Sequence, residues 1–216
     1  MFSFLEVGYQ AIVDIPQLVI KAGKVTALTG PSGGGKTTIL RMLNKMISPT
    51  RGTIYFKEQD LAEIDSVAHR RQVGTLSQQP VIFPGSIGDN LRKGFVFQER
   101  AIPSEAVLEE ALGKVSLAKD LEDDAALLSG GEKQRLALAR LLLLQPEVYL
   151  LDEPSAALDA VTEDEVIGMV VEESRQDQAT LIIVTHSLAV AAKYADTVLR
   201  IEAGKVEGGE GDAGNN

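Results

Sequence analysis

Residues 30–38 read GPSGGGKTT, and from Gly30 to Thr37 they fit the spacing G-x-x-x-x-G-K-[ST]. The preceding residues, 24–29, read KVTALT and predict a short β-strand, whereas residues 37–46 place apolar side chains at helical spacing. A strand, a glycine-rich loop and a helix form the context that a phosphate-binding loop requires. The stretch therefore predicts an α/β fold with a phosphate-binding loop at its centre.

The chemistry of this loop follows from its backbone and from two side chains. Glycines let successive N–H groups point inward without a Cβ clash, and the helix N-terminus adds partial positive charge. Lys36 is long enough to reach the β- and γ-phosphates of a nucleotide, and Thr37 offers a hydroxyl to Mg²⁺. The predicted phosphate-binding residues are Gly30, Pro31, Ser32, Gly33, Gly34, Gly35, Lys36, Thr37 and Thr38.

Composition restricts the possible classes of protein. The 216 residues suit one α/β domain, and a hydrophobic content of 44% is enough for a sizeable core. The net charge of −10 argues against a nucleic-acid partner, and the absence of cysteine excludes disulfides and thiolate metal sites. No apolar run approaches the ~20 residues that span a bilayer, and residues 1–10 lack the layout of a signal peptide. We therefore expect any membrane role to come through a separate chain.

Polar side chains follow three predicted strands at the point where each strand ends. Gln78 follows one strand, Asp152 and Glu153 follow a continuous apolar run at 148–151, and His186 follows another strand. Ligands of open α/β sheets bind at the carboxyl ends of the strands. Taken alone, a glutamine or histidine there is more often simply solvated, but two carboxylates after a buried strand are costly without a cation or water. The first carboxylate is placed to hold Mg²⁺ and the second to orient an attacking water.

A second helix start carries an anion-ready sequence. Residues 128–135 read LSGGEKQR and open an apolar helix predicted over 136–144. Before them, residues 89–124 are helix-rich, with Ser104 as a predicted N-cap, and indicate a helical lobe beside the sheet. His69, next to two arginines, is interpreted as a surface residue.

With these motifs the chain resembles the nucleotide-binding subunit of ABC transporters over nearly its whole length, from about Phe4 to Lys205. Residues 128–135 match the signature motif of that family, which other P-loop ATPases and small-molecule kinases lack. The resemblance implies an α/β fold of the P-loop NTPase (RecA-like) type, with a parallel sheet core, an antiparallel β edge subdomain and a small α-helical subdomain. It implies one domain over residues 1–205, a helical subdomain at roughly 86–140, and a flexible acidic, glycine-rich tail over 206–216.

The resemblance also implies roles for single residues. Tyr9 is expected to stack on adenine, although its connection to the next strand is shorter than usual. Residues 156–159 fall on the D-loop, where Ala156 replaces a common serine. The implied catalytic residues are Glu153, His186, Gln78 and Lys36, the implied Mg²⁺ ligands are Thr37, Gln78 and Asp152, and the implied caps on ATP are Ser129, Gly130 and Gly131 of a second copy.

The implied activity is ATP hydrolysis with Mg²⁺, by a homodimer that forms in the ATP state and drives a transmembrane permease. The implied location is cytoplasmic, peripheral on the inner face of the cell membrane, without nucleic acid. A soluble ABC-type ATPase switch unconnected to transport is the alternative. Residues 76–91 are similar both to phosphate importers and to a group linked to iron export, so the substrate stays open. Residues 81–84, VIFP, either line a groove for a permease helix or pack the helical lobe on the sheet.

Overall fold

The computed structural model describes residues 1–155 and 160–207, and within them the chain forms two β-sheets with helices around them. The strands are β1 (Phe2–Tyr9), β2 (Val13–Ile20), β3 (Val25–Thr29), β4 (Arg51–Phe56), β5 (Gln59–Asp60), β6 (Val73–Leu76), β7 (Val148–Asp152), β8 (Thr180–Val184), β9 (Thr197–Glu202) and β10 (Lys205–Glu207). The helices are α1 (Lys36–Leu43), α2 (Ser66–Gln72), α3 (Ile87–Phe97), α4 (Glu105–Lys114), α5 (Gly130–Leu144), α6 (Ala160–Gln176) and α7 (Leu188–Tyr194). Single 3₁₀ turns lie at Leu61–Glu63 and Ala125–Leu127.

The larger sheet holds the predicted site. Its order is β10-β9-β3-β8-β7-β6, and all its neighbouring strands are parallel except the terminal β10–β9 pair. Every residue of β3, β7 and β8 is buried, as expected for parallel strands that are covered on both faces. The carboxyl ends of these strands therefore lie at one edge, where the loops that follow them meet.

Two apolar cores lie on opposite faces of this sheet. Along β7, Tyr149 and Leu151 belong to the core built with α3, α4, α5 and α6, whereas Val148 and Leu150 belong to the other. This alternation follows from the two-residue period of a strand. The second core lies between the large sheet, α1 and a four-stranded antiparallel sheet of order β2-β1-β4-β5. The architecture confirms the predicted fold class: a parallel core, an antiparallel sheet at its side and a helical lobe.

Several predicted boundaries differ from the structure. Helix α1 ends at Leu43 rather than at residue 46, because Asn44 caps it and Lys45 adopts a left-handed φ of 56°. Ser104 stands at the start of α4 but makes no side-chain capping bond. Strand β10 reaches Glu207, so residues 206 and 207, predicted as tail, pair with β9 instead. Residues 208–216 lie outside the described part of the chain.

The prediction that His69 lies at the surface is wrong. Its side chain is fully buried, with ring atom Nε2 2.7 Å from the carbonyl oxygen of Leu43. The ring meets Phe56 edge-on, with 4.9 Å between centroids. His69 therefore joins α2 to the end of α1 and to the antiparallel sheet, while its neighbour Arg70 is exposed.

Candidate functional site

The glycine loop joins β3 to α1 in a backbone conformation that only glycine adopts easily. Gly30 has a φ of +126°, and a Cβ there would lie 2.1 Å from the carbonyl oxygen of Ile201. Gly35 has a φ of +105° and occupies the N-cap of α1 without any side-chain capping bond. The first N–H groups of α1 therefore remain available to an anion, which is the arrangement of a phosphate site.

Lys36 lies folded back over this loop. Its Nζ donates to the carbonyl oxygens of Gly30 and Pro31, each at 2.8 Å, and the residue is 5% exposed. Burial lowers the pKa of the Lys36 amine, and the nearby carboxylates of Glu153 and Asp152 oppose that shift. The amine is thus held at the mouth of the loop by two neutral acceptors, which a phosphate group replaces with a stronger, charged one.

The structure brings the predicted strand-end residues together. Glu153 accepts a hydrogen bond from Gln78 Nε2 at its Oε2 atom, and His186 Nε2 lies 2.8 Å from its Oε1 atom. The Gln78 contact is also 2.8 Å long. Glu153 itself has a left-handed φ of 49°, and its N–H donates to the carbonyl oxygen of Val184. The carboxylate is therefore fixed between β6, β7 and β8, directly beside the phosphate loop.

The residues predicted to hold Mg²⁺ also meet. Thr37 Oγ1 donates to Asp152 Oδ1 at 3.2 Å, and Thr37, Asp152 and Gln78 line one cavity of about 880 Å³. Asp152 is 6% exposed, and burial raises the pKa of its carboxyl group. Among the described residues no group of three His, Cys, Asp or Glu side chains could hold a metal alone. One carboxylate and one hydroxyl fit Mg²⁺, which usually completes its oxygen ligands with nucleotide phosphates and water.

The second anion-ready helix start is exposed. Ser129 is the N-cap of α5, and its Oγ accepts the Glu132 N–H at 3.4 Å, while Glu132 Oε2 accepts the Ser129 N–H at 2.8 Å. These bonds to Ser129, with Lys119 near the other oxygen, lower the pKa of Glu132 to about 2. Ser129 and Gly130 are open to solvent, and a Cβ on Gly130 would meet no atom within 4 Å.

Tyr9 is half-buried at the end of β1, where a tight turn from the Tyr9 carbonyl to the Ile12 N–H leads into β2. The hairpin borders the phosphate loop, since the carbonyl oxygen of Ile12 lies 3.1 Å from the position of a Cβ on Gly35. Tyr9 also packs against the second apolar core, and its stacking on adenine stays a prediction. Residues 156–159, predicted as the D-loop, lie outside the described part of the chain.

Two residues near the site were missed by the sequence analysis. Arg140 Nη2 donates to the carbonyl oxygen of Val81, and the fully buried Asn90 bonds both the N–H and the carbonyl of Phe83. Arg140 had one signal in the sequence, because it is the only charged residue in the run 136–144. Asn90 gave none, since asparagine near a helix start is common.

A phosphate loop, a buried aspartate beside its threonine, and a glutamate held by glutamine and histidine together define a P-loop ATPase. The chain belongs to the ABC transporter family, whose model matches residues 13–156. It binds ATP and hydrolyses it, as an ATP-binding subunit of that family. In the described residues no helix has the length and apolar content to cross a bilayer.

Relatives and solved structures agree with this assignment. "ABC transporter I family member 17" of Arabidopsis thaliana is 37% identical, over 90% of this chain and 72% of that protein. "Phosphate import ATP-binding protein PstB" of Thermotoga maritima is 36% identical, over 91% of this chain and 82% of its own length. A dimeric, post-hydrolysis ATP-binding cassette bound to ADP and Pi matches with a TM-score of 0.87 and 26% identity, covering 97% of this chain and 98% of that one.

Proposed function

We propose that the chain powers a membrane transporter as one of two identical ATP-binding subunits that close on ATP. The observation that carries this proposal is the presence in one chain of two helix starts that can face an anion, one without a side-chain cap and one exposed to solvent. The start of α1 takes phosphate beside Lys36, while Ser129 and Gly130 at the start of α5 are exposed to solvent. A second copy offers its own Ser129 to the γ-phosphate that Lys36 holds, so ATP joins the two copies.

The proposal gives each residue of the site a role in ATP hydrolysis. Lys36 exchanges two backbone carbonyls for the β- and γ-phosphates, and Glu153 orients the attacking water and accepts its proton. Gln78 and His186 fix the two carboxylate oxygens of Glu153. Thr37, Asp152 and Gln78 would hold Mg²⁺, which supplies neutralisation of the phosphate charge when bound.

A transmembrane permease is the proposed partner, and it docks beside the cavity that Gln78 lines. Exposed apolar side chains flank this region, including Val81 at 60% and Phe97 at 63% exposure, and Arg41 and Arg70 line the cavity. An amphipathic helix with an acidic end fits such a surface. Of residues 81–84, Ile82 packs on the core, whereas Val81 faces solvent, so Val81 is the side chain that we propose for the contact with the permease.

This partner would place the subunit in the cytoplasm, on the inner face of the cell membrane. The similarity to a phosphate import protein supports phosphate as the substrate, and an iron- or other metal-type system remains the second substrate class. Purification in mild detergent tests the partner: we expect a multi-span membrane protein to come with the chain. Val81→Asp, which puts a charge on that surface, is expected to release it. Recovery of the chain in the soluble fraction, with no membrane protein bound to it, would instead favour a soluble ATPase switch.

Dimerisation is tested with Ser129→Arg in a Glu153→Gln background, which slows loss of the ATP state. We expect ATP binding to persist and ATP-dependent dimers to disappear in size-exclusion chromatography, because the arginine fills the place of the γ-phosphate contact. Ser104→Arg, at the exposed start of α4, is the matched control and should dimerise normally. Normal dimers with Ser129→Arg would refute the composite site.

A further inference from the structure

The segment of residues 79–85, which follows Gln78, is held by the helical lobe. Arg140 on α5 donates from Nη2 to the carbonyl oxygen of Val81 at 2.7 Å, and its guanidinium carbon lies 5.0 Å from the centroid of the Phe83 ring. Asn90 on α3 accepts from the Phe83 N–H at 2.8 Å and donates to the Phe83 carbonyl at 2.9 Å. Phe83 also meets Phe97 edge-on at 5.6 Å. The segment is therefore held at Val81 by α5 and at Phe83 by both α3 and α5.

Helix α5 connects this fastening to the signature serine. Ser129 caps the first turn of α5, and Arg140 lies eleven residues later on the same unbroken helix. At 1.5 Å per residue the two are roughly 16 Å apart along the helix axis. A displacement of α5 at the Ser129 end therefore moves Arg140 with it, because a packed helix behaves as a rigid element.

The other end of the segment reaches the catalytic carboxylate. Val81 lies three positions after Gln78, with two residues between them, so the two are at most about 11 Å apart when the chain is fully extended. Gln78 donates to Glu153. The connection from Ser129 to Glu153 therefore consists of helix α5, the bond from Arg140 to Val81, the short segment back to Gln78, and the bond from Gln78 to Glu153.

Packing alone gives little reason for an arginine at position 140. Arg140 is half-buried, and its Nη1 atom is buried without a hydrogen-bond partner among the described residues. Burial also lowers the pKa of the Arg140 guanidinium. A half-buried, incompletely paired cation costs stability relative to an apolar side chain of similar volume. The presence of an arginine here is explained if its contacts to Val81 and Phe83 serve the reaction.

We propose that Arg140 is a positioning residue of ATP hydrolysis, which keeps the segment of residues 79–85 on α5 so that Gln78 follows the signature helix. The inference rests on the role proposed above for Gln78. Arg140 touches neither nucleotide nor water in this scheme. Arg140 determines the position of the Gln78 amide relative to the Glu153 carboxylate when the N-terminus of α5 binds the nucleotide of a second copy.

Arg140→Gln tests this, with Arg100→Gln as the matched control. Arg100 makes the same two kinds of contact elsewhere in the lobe, donating to the carbonyl oxygen of Leu144 at 2.9 Å and lying 5.2 Å from the Phe95 ring. We expect Arg140→Gln to lower kcat about tenfold at saturating ATP, with the ATP Kd of the monomer unchanged within about twofold. Arg100→Gln should keep kcat within about twofold even if its Tm falls equally. Equal effects of both variants on kcat would reduce Arg140 to a structural role and overturn the inference.

Measurements in a Gln78→Ala background separate the role inferred for Arg140 from the role proposed for Gln78. If Arg140 acts through Gln78, the tenfold loss caused by Arg140→Gln should vanish when Gln78 is already alanine. A Gln78→Ala variant with normal kcat would refute the role of Gln78, and the inference with it. A slow Gln78→Ala variant beside a normal Arg140→Gln variant would refute the inference alone.

A second variant covers the case in which Arg140→Gln does not fold. Phe83→Leu removes the ring beneath the guanidinium and leaves the cation and the backbone bond of Val81 in place. We expect kcat to fall about threefold, again only when Gln78 is present. An unchanged kcat in Phe83→Leu would overturn the inference.

Discussion

His69 illustrates how a single polar residue escapes prediction from sequence. It is followed by Arg70 and Arg71 in a short helix, and such a run favours a solvated face. The structure buries the ring completely, because Leu43 at the end of α1 presents a free carbonyl oxygen and Phe56 closes the other side. A hydrogen-bond partner 26 residues away is invisible in the local pattern.

Burial of His69 predicts an acid-sensitive fold. Burial lowers the pKa of His69 from its ordinary value of 6.5, with Lys45 and Arg70 adding to the shift, so the folded chain keeps the ring neutral. Below pH 6.5 the unfolded chain takes up a proton that the folded chain does not, so stability falls as pH falls, by at most about 1.4 kcal/mol per pH unit. Unfolding by urea at pH 7.5 and 5.5 should show a smaller loss for His69→Gln than for the unchanged chain.

Val67→Ala is the control for this experiment, since it changes an exposed residue of the same helix that carries no titratable group. It should keep the pH dependence of the unchanged chain. If His69→Gln and the unchanged chain lose the same stability between the two pH values, His69 is not the group that titrates.

The residues in and near the site differ in whether nearby sequence is enough to predict them. Lys36, Thr37, Asp152 and Glu153 were predictable, because a loop spacing and a strand end fix them within a few residues of sequence. Arg140 was not, because its meaning depends on the carbonyl of Val81, 59 residues earlier in the chain. The sequence therefore predicts residues whose positions are set by local geometry, and it does not predict residues whose contacts are distant in the chain.

The sequence predicted the presence of helices and strands more accurately than the residues at which they end. The apolar pattern of α1 continues through Met46, yet the helix ends at Leu43 and Met46 is 62% exposed. Asn44 explains the stop, since its Nδ2 donates to Thr75 Oγ1 on β6 at 2.9 Å and its Oδ1 accepts the Met46 N–H at 3.1 Å. The hydrogen bonds of the Asn44 side chain to β6 and to the nearby backbone therefore end the helix, although the apolar pattern continues.

The β3–loop–α1 unit gives a prediction at the scale of an element. Gly30→Ala puts a Cβ against the backbone of Ile201 at a φ that alanine rarely adopts, so the loop must shift away from its phosphate-binding shape. We expect ATP affinity, measured by isothermal titration, to fall at least about tenfold, together with a lower Tm.

Gly113→Ala is the control for Gly30→Ala. Gly113 lies within α4, and a Cβ there would meet no atom within 4 Å. Alanine should stabilise that helix by up to about 1 kcal/mol and leave ATP affinity unchanged. Normal ATP binding by Gly30→Ala would show that the loop tolerates the shift and that its glycines do not set the affinity.

At the scale of the whole molecule, the sheet with a core on each face joins the phosphate loop to the acidic strand ends. The sequence predicts this arrangement because continuous apolar strands alternate with helices. The arrangement of two copies was not predictable from periodicity or composition. No pattern in the sequence indicates that the N-terminus of α5 in one copy faces the phosphate loop of the other. That part of the interpretation depends on the open N-terminus of α5 and on the family to which the chain belongs.

Glu153→Gln separates the chemistry from the assembly of the molecule. The amide keeps the size of the side chain but cannot accept a proton from water, so kcat should fall about 10²-fold or more. ATP-dependent dimers should persist, because the variant leaves Lys36 and Ser129, which bind the triphosphate in the proposed composite site, unchanged. Glu147→Gln, at the opposite end of β7, is the control: it removes an exposed carboxylate paired with Lys57 and should leave both turnover and dimerisation unchanged. Undiminished turnover in Glu153→Gln would assign proton removal to another group, whereas loss of the dimer would mean that Glu153 holds the closed state rather than the attacking water.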